Sequence, residues 1–309
     1  MSSITNEAIS QIKNLGKIVE RVGILQNTDS NSRFPSWLLK VLANCPFWIN
    51  DPDEHKHQAD TTNGYCCFNH IIGEPIKYGE PNPLYPFQTD IVIPAFEKHD
   101  AIWILKATGL GITEISLRYM MWKAITGDRN KYYRSIMPII VGPNVDLAKK
   151  LIGRAKYMWL NKLGIEFDDR EKQLSLPINN VTIEAFPSNN VKAFRSLENV
   201  SIALIDEGDY FSKGEQRAVL VAAERYFGKS GAKIILVSTP GTPGGLMETI
   251  DVNPKSIYHK LRLDYTYGEE KIYTKEDLDK AKKSTSFEQE YNLKYLGEIG
   301  NIFQLHLNY

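Results

Sequence analysis

Little in this chain would staple, anchor or export it. Three cysteines in 309 residues are too few, and odd in number, for a disulfide framework, and they fit a reducing compartment. No apolar run approaches the roughly 20 residues that a membrane-spanning helix needs. The opening MSSITNEAIS has no charged segment followed by an apolar core, so no secretion signal is visible. Net charge is missing too. With 37 Lys+Arg against 37 Asp+Glu, the whole molecule has no excess that would draw it to a polyanion. No internal repeat is apparent. Together these absences predict a soluble, cytoplasmic protein without a membrane partner. At 42% hydrophobic and 24% charged residues the composition is that of an ordinary globular chain. Its length suits one large domain or two modest ones.

Between residues 100 and 240 the pattern is regular. Four apolar, β-branched runs appear: Ala101–Leu105, Ile136–Val141, Ile202–Ile205 and Lys233–Val237. They do not alternate polar with apolar residues, which predicts strands buried on both faces, as in a parallel sheet covered by helices. Helical patterns separate them at Thr113–Thr126, Asn144–Leu163 and Glu215–Phe227. Gln173–Leu176 and Val181–Ala185 read as an inserted hairpin around Asn179-Asn180. This βαβ layout predicts an open α/β sheet with its ligand at the carboxyl ends of the strands. Upstream, Ile4, Ala8, Ile12, Leu15, Val19 and Val22 predict an amphipathic helix, and residues 44–86 read as irregular loops. Downstream, Ile257–Leu263 reads as a strand, with polar helices at Lys275–Lys283 and Phe287–Leu293. The expected division is an N-terminal extension over 1–83, a core over 84–255 and a lid or linker segment over 256–309.

The chemistry-bearing residues sit where those runs end. Lys106-Ala107-Thr108-Gly109-Leu110-Gly111-Ile112-Thr113 joins the first strand to the first helix. Glycines let such a loop curve its N–H groups around phosphate, and the helix N-terminus adds partial positive charge. The usual phosphate loop has lysine just before its final Ser/Thr. Here that position is Ile112, so Lys106 would have to supply the amine from the front of the loop. Thr113 would offer its hydroxyl to Mg²⁺. The run ending at Ile205 delivers Asp206 and Glu207. Asp206 would hold Mg²⁺ and Glu207 would orient and deprotonate a water. Lys233–Val237 delivers Ser238, Thr239 and Pro240, two hydroxyls placed to sense a γ-phosphate. Gln88, in Leu84-Tyr85-Pro86-Phe87-Gln88, can both donate to and accept from an adenine edge. Arg195, in Phe194-Arg195-Ser196, could stabilise charge on a transferred phosphoryl group. Each feature alone has a plain alternative: a turn, a solvated strand end, a surface glutamine, a surface ion pair.

Together they resemble the ATPase domain of the terminase large subunit, the motor that packages DNA into tailed-virus capsids. The likeness runs from about Leu84 to Phe303. The resemblance implies a P-loop NTPase of the RecA/ASCE-like α/β class, with a mostly parallel sheet flanked by helices. It implies a Gln motif at Gln88, a phosphate loop with its lysine displaced to Lys106, and a metal aspartate and catalytic glutamate at Asp206 and Glu207. It also implies a coupling motif at Ser238-Thr239-Pro240 and an arginine finger at Arg195 acting on a neighbouring subunit. Phe287-Glu288-Gln289-Glu290-Tyr291 through Gly297 to Ile302-Phe303 resembles the family's link to its nuclease. The implied cofactors are ATP and Mg²⁺. The implied partners are double-stranded DNA, the portal ring of a procapsid, the small terminase subunit and further copies in a ring, in the host cytoplasm. Two features depart from the family. Thr108 and Gly109 stand where many members have Arg or Gln, and the nuclease domain would lie beyond Tyr309. The chain is therefore expected to be a fragment, a truncated product or a motor with a separate nuclease.

Two other readings stay beside that one. A two-lobed helicase of superfamily-2 type uses similar motifs but needs a second lobe, for which the roughly 70 residues after Pro240 are expected to be too few. A non-hydrolysing nucleotide-binding assembly protein would explain Ile112 and Gly109 as decay, but has no use for both acids. Residues 114–163 hold ten Lys/Arg against three acids, with Tyr132 and Tyr133 among them, which could serve a phosphate backbone or only solvate helix faces. Cys45, His55, His57, Cys66, Cys67 and His70 cluster in the loop-rich segment. Zinc would suit a segment so poor in core, but adjacent cysteines and His-x-His depart from the usual paired spacing.

Overall fold

A computed structural model describes residues 76–77, 80–82, 84–126, 129–142, 144–163, 170–176 and 179–296. The expected N-terminal helix and the six zinc candidates lie outside the described residues. The chain forms two compact units that interleave in sequence. The larger comprises Ala95–Ser116, Ile136–Lys150 and Glu184–Tyr309; the other comprises Met1–Pro94, Leu117–Ser135 and Leu151–Ile183.

The strands are β1 Ala101–Lys106, β2 Ile136–Val141, β3 Gln173–Leu176, β4 Val181–Pro187, β5 Ile202–Asp206, β6 Lys233–Ser238 and β7 His259–Leu263. In the larger unit the sheet order is β4-β2-β5-β6-β1-β7. β2 with β5, β5 with β6, β6 with β1 and β1 with β7 all pair in parallel. Every residue of β1, β5 and β6 is buried. The unbroken apolar runs are thus two-sided strands, as their composition requires. In the other unit β3 lies beside the start of β4, the expected hairpin.

The helices used below are α1 Ile93–Lys98, α2 Ile112–Thr126, α3 Val145–Leu163, α4 Val191–Arg195, α5 Lys213–Ser230, α6 Leu246–Val252, α7 Lys275–Ala281 and α8 Phe287–Glu290. α2 has no polar stripe; from Ile115 to Ala124 every residue is buried, so it is an interior helix. α5 ends in a left-handed cap at Gly231, φ 61°, whose N–H donates to the Tyr226 carbonyl. Phe287–Leu293, expected as a helix, is helical only through Glu290, and Leu293 adopts φ 60°. The strand expected from Ile257 begins at His259 and is an edge strand of the sheet. Among the described residues no helix is long and apolar enough to cross a membrane.

The order matters for the site. β6 lies between β1, which leads into the glycine loop, and β5, which ends in the acid pair. Register aligns their ends: Leu105 is opposite Ser238, and Asp206 is opposite Val237. Lys106, Ser238-Thr239 and Asp206-Glu207 therefore leave the sheet at one level. Strands about 4.8 Å apart put β1 and β5 about 10 Å apart, a gap that a lysine and a glutamate can close.

Candidate active site

At the carboxyl edge of the larger unit two side-chain pairs close that gap. The Lys106 ammonium donates to Glu207 Oε1 at 2.7 Å. The Thr113 hydroxyl donates to Asp206 Oδ1 at 2.8 Å. Lys106 is 7% exposed and Asp206 4%, so both charges are largely out of water. The Glu207 side chain keeps 35% of its surface. The other Glu207 oxygen, Oε2, accepts from the Thr239 N–H at 3.2 Å and the Ser238 hydroxyl at 3.4 Å. Amine, hydroxyl, two carboxylates and the Ser-Thr pair thus form one cluster from three strand ends and a helix start.

The backbone at Glu207 is strained to place it there. Glu207 has φ 55° and ψ 44°, left-handed values that cost a side-chain-bearing residue roughly 1–2 kcal/mol. Gly208 follows because a Cβ there would come within 2.9 Å of Leu236 Cδ1. The loop itself turns at Gly109, φ 79°, and Gly111, φ 73°. Ile112 is buried at the start of α2, so the position that usually carries the lysine points into the core. The amine near the acids is that of Lys106. The N–H groups of Ala107 and Thr108 are spent on the protein itself, donating to the Leu263 and Glu290 carbonyls at 2.7 and 2.9 Å. The stretch with curvature for phosphate is Gly109–Thr113, with Leu110 buried beneath it.

Two expected residues stand on other elements. Gln88 lies in the other unit, buried in the wide turn Gln88–Val92, where its Oε1 accepts from the Tyr85 N–H at 3.1 Å. Arg195 ends α4 and is exposed; its carbonyl accepts from Arg225 at 3.0 Å. The carboxyl edge is marked on α5 by Glu215, which accepts from the Ser188 hydroxyl at 2.8 Å. Arg225 lies about 15 Å farther along that helix. Arg195 therefore sits beside the stretch of α5 that runs away from the carboxyl edge. The basic run also shrinks, because Arg118 and Lys123 are buried and the Lys123 ammonium lies 4.6 Å from the Trp122 ring.

Other residues support the cluster. Asp209 is buried, and its carboxylate accepts from the Gly241 and Met247 N–H groups, both at 2.8 Å. Burial pushes its pKa up, against the pull of those N–H groups. Cβ atoms at Gly241 and Gly245 would fall 2.9 and 2.6 Å from Asp209 atoms, so both glycines are there for close approach. Gln216 donates to the Asp209 carbonyl at 2.8 Å and accepts from the Leu246 N–H at 3.0 Å. On the loop's other side the Tyr273 hydroxyl donates to the Thr108 carbonyl, and its ring lies 3.6 Å from a Cβ built on Gly109. Asp209, two residues after the acid pair, could have been noticed in sequence. Tyr273 and Glu290 carried no local signal, being more than 160 residues from Thr108.

A parallel sheet with the acid strand one place removed from the glycine-loop strand is the RecA/ASCE-like P-loop NTPase fold. Within that class the chain is similar to large terminases of phages. It superposes on the HK97 bacteriophage large terminase with TM-score 0.54 and 18% identity, over 74% of this chain and 54% of that one. A mutant of the Thermus phage P74-26 large terminase ATPase domain matches with TM-score 0.52 and 11% identity, over 76% of this chain and 99% of that domain. A large terminase from a thermophilic bacteriophage, solved in complex with ADP, matches with TM-score 0.50 and 14% identity, over 65% and 50%. At these identities the shared property is the fold. The chain spans about half the length of the whole terminases it matches. No family model matches it, and no curated protein matches its sequence.

Proposed function

We propose that this chain is the ATPase motor of a terminase large subunit, which hydrolyses ATP to move double-stranded DNA into a viral procapsid. One observation carries the reading: Lys106 pairs with Glu207 at 2.7 Å and Thr113 with Asp206 at 2.8 Å, at aligned strand ends of a P-loop NTPase sheet. The donor set fits a magnesium nucleotide. A hydroxyl and a carboxylate are suited to a hard, oxygen-seeking cation, a buried amine to phosphate, and a glycine loop at a helix start to phosphate oxygens. Thr113 and Asp206 would hold Mg²⁺, which when bound would neutralise phosphate charge.

In this reading Lys106 leaves Glu207 for a phosphate oxygen, and that exchange frees the carboxylate. Glu207 then takes a proton from water as the water oxygen attacks the terminal phosphorus and the bond to the ADP oxygen breaks. Ser238 and Thr239, already bonded to Glu207, report on the terminal phosphate. Gln88 would read the base. Arg195, exposed at the end of α4, would act on the nucleotide of a neighbouring copy in a ring. Double-stranded DNA, a portal ring and the small terminase subunit are the partners of this reading, and the host cytoplasm its location. The second acid disfavours a site that only binds nucleotide, since holding a magnesium nucleotide needs no base beside the metal aspartate.

The test is phosphate release from MgATP, alone and with linear DNA and a portal ring. Turnover that DNA and portal raise is expected. No release under any of these conditions would end the reading.

A further inference from the structure

Beyond the acid pair, two distant parts of the larger unit meet at one hydroxyl. The Thr239 hydroxyl donates to Tyr210 OH at 3.0 Å. Tyr210 OH in turn lies 3.0 Å from Glu290 Oε1 and 3.3 Å from the Pro240 carbonyl. Glu290 reaches the glycine loop by another route, through its backbone carbonyl, which accepts from the Thr108 N–H at 2.9 Å. Beside it Gln289 donates to the Pro240 carbonyl at 2.7 Å, and the Tyr265 N–H donates to the Tyr291 carbonyl at 3.0 Å. The segment from Tyr265 to Tyr291 is thereby tied to the glycine loop and to the strand end that carries Thr239.

The direction of these bonds gives the arrangement a logic. Thr239 has one hydroxyl proton. Here it goes to Tyr210; if it went to a phosphate oxygen, Tyr210 would lose its incoming donor and be free to reorient. Tyr210 itself stays a donor. Burial first, and the nearby Glu290 and Glu207 carboxylates after it, push its phenol up to about 12. A protonated hydroxyl 3.0 Å from a carboxylate is a charge-assisted contact, stronger than a neutral one. A purely packing role does not explain it, since Tyr210 is 48% exposed and its polar tip faces three partners.

We propose that Tyr210 and Glu290 are positioning residues that link the Thr239 hydroxyl to the segment Tyr265–Tyr291, so that this segment tightens or loosens with the state of the terminal phosphate. The proposal rests on the reading of the site as an ATPase. Its test is amide hydrogen exchange on the whole chain, with a slowly hydrolysed ATP analogue and Mg²⁺ or with ADP and Mg²⁺, each saturating. The amides of Tyr265, Glu290 and Tyr291 are expected to differ in protection between the two nucleotides by about fivefold, the worth of one hydrogen bond. Tyr210→Phe and Glu290→Ala should remove that difference. Glu290→Gln, which keeps an acceptor for Tyr210, should restore most of it. A wild-type chain with equal protection in both nucleotides overturns the link and leaves the ATPase reading standing. So does a nucleotide difference that survives both Tyr210→Phe and Glu290→Ala, or a loss that Glu290→Gln does not repair. A wild-type chain that binds neither nucleotide overturns the link and the ATPase reading together.

Discussion

Two lysines end neighbouring strands of this sheet, both almost fully buried, and they have little else in common. Lys233 starts β6 at the amino edge. It donates to the His99 carbonyl and lies 3.5 Å from the carboxylate of Asp100, a side chain 70% exposed. Its partners are successive residues just before β1, and the Ile234 N–H donates to the Asp100 carbonyl beside them. Lys106 ends β1 at the carboxyl edge. Its partner comes from 101 residues away, on a backbone held left-handed, next to a second acid and two hydroxyls. A buried amine alone is therefore not a functional signal, because one of these two is held by a strand start and the other by an acid pair. What separates them is backbone strain in the partner and the company that partner keeps.

The largest effect should come from breaking the strained end. Glu207→Gln keeps the side-chain shape and an acceptor for Lys106 but cannot take a proton. ATP turnover should fall on the order of 10²–10⁴-fold, the usual worth of a general base, while nucleotide binding persists. Steady-state phosphate release and a nucleotide-binding titration check the two halves. Next comes Lys106→Ala, which should weaken nucleotide binding by on the order of 10–100-fold, as befits a charged hydrogen bond, and turnover with it. Normal hydrolysis in that variant would show that the amine displaced to the front of the loop is not part of the site.

Lys233→Met is the opposite case. It swaps a buried ammonium for an apolar chain of similar length. The carboxylate it leaves, on Asp100, is already solvated. Removing one partner of an ion pair is costly when the other charge stays buried, and here it does not. Unfolding free energy in urea should change by less than about 1.5 kcal/mol, and turnover by less than about twofold. A loss of turnover comparable with that of Lys106→Ala would erase the distinction between the two lysines.

Much of this contrast was legible beforehand, and the part that was not has a physical reason. The strand runs were readable because burial on both faces demands unbroken apolar sequence; Ile136–Val141 and Gln173–Leu176 fall where expected. Lys106, Asp206 and Glu207 stood out as candidates because they follow such runs directly, and Thr113 because it opens the helix after the glycine loop. The left-handed backbone at Glu207 was not, since nothing in Asp-Glu-Gly announces it. Nor was the contact of Tyr210 with Glu290, 80 residues on, which depends on where β7 joins the sheet. Phe287–Leu293 was misjudged because its apolar spacing fits a helix, but after Glu290 the chain turns to bring the Tyr291 carbonyl to Tyr265. The packing of α4 beside α5, through Arg225 and Tyr226, is likewise a tertiary fact that no local pattern announces.

The smallest expected effect lies at the staple end, and it is one of pH. The His99 and His259 rings stack at 3.9 Å, nearly parallel. Burial lowers the His99 pKa, and so do His259, Lys98 and Lys233 around it, with Asp100 pulling weakly the other way. The unfolded chain therefore takes up a proton at His99 at a higher pH than the folded one does. Between the ordinary histidine value of about 6.5 and the lowered folded value the unfolded state binds more protons, so stability falls as pH falls through that window. Below the folded value the loss levels off. His99→Phe keeps a stacked ring and removes the proton site. Urea midpoints at pH 7 and pH 5 should be closer together in this variant than in the wild type, while turnover at pH 7, governed from the other edge of the sheet, should not change. An equal pH dependence in both chains would mean that the amino-edge staple does not sense protons. The buried carboxylate of Asp209 could not supply the acid sensitivity in its place, because its raised pKa makes stability fall with rising pH instead.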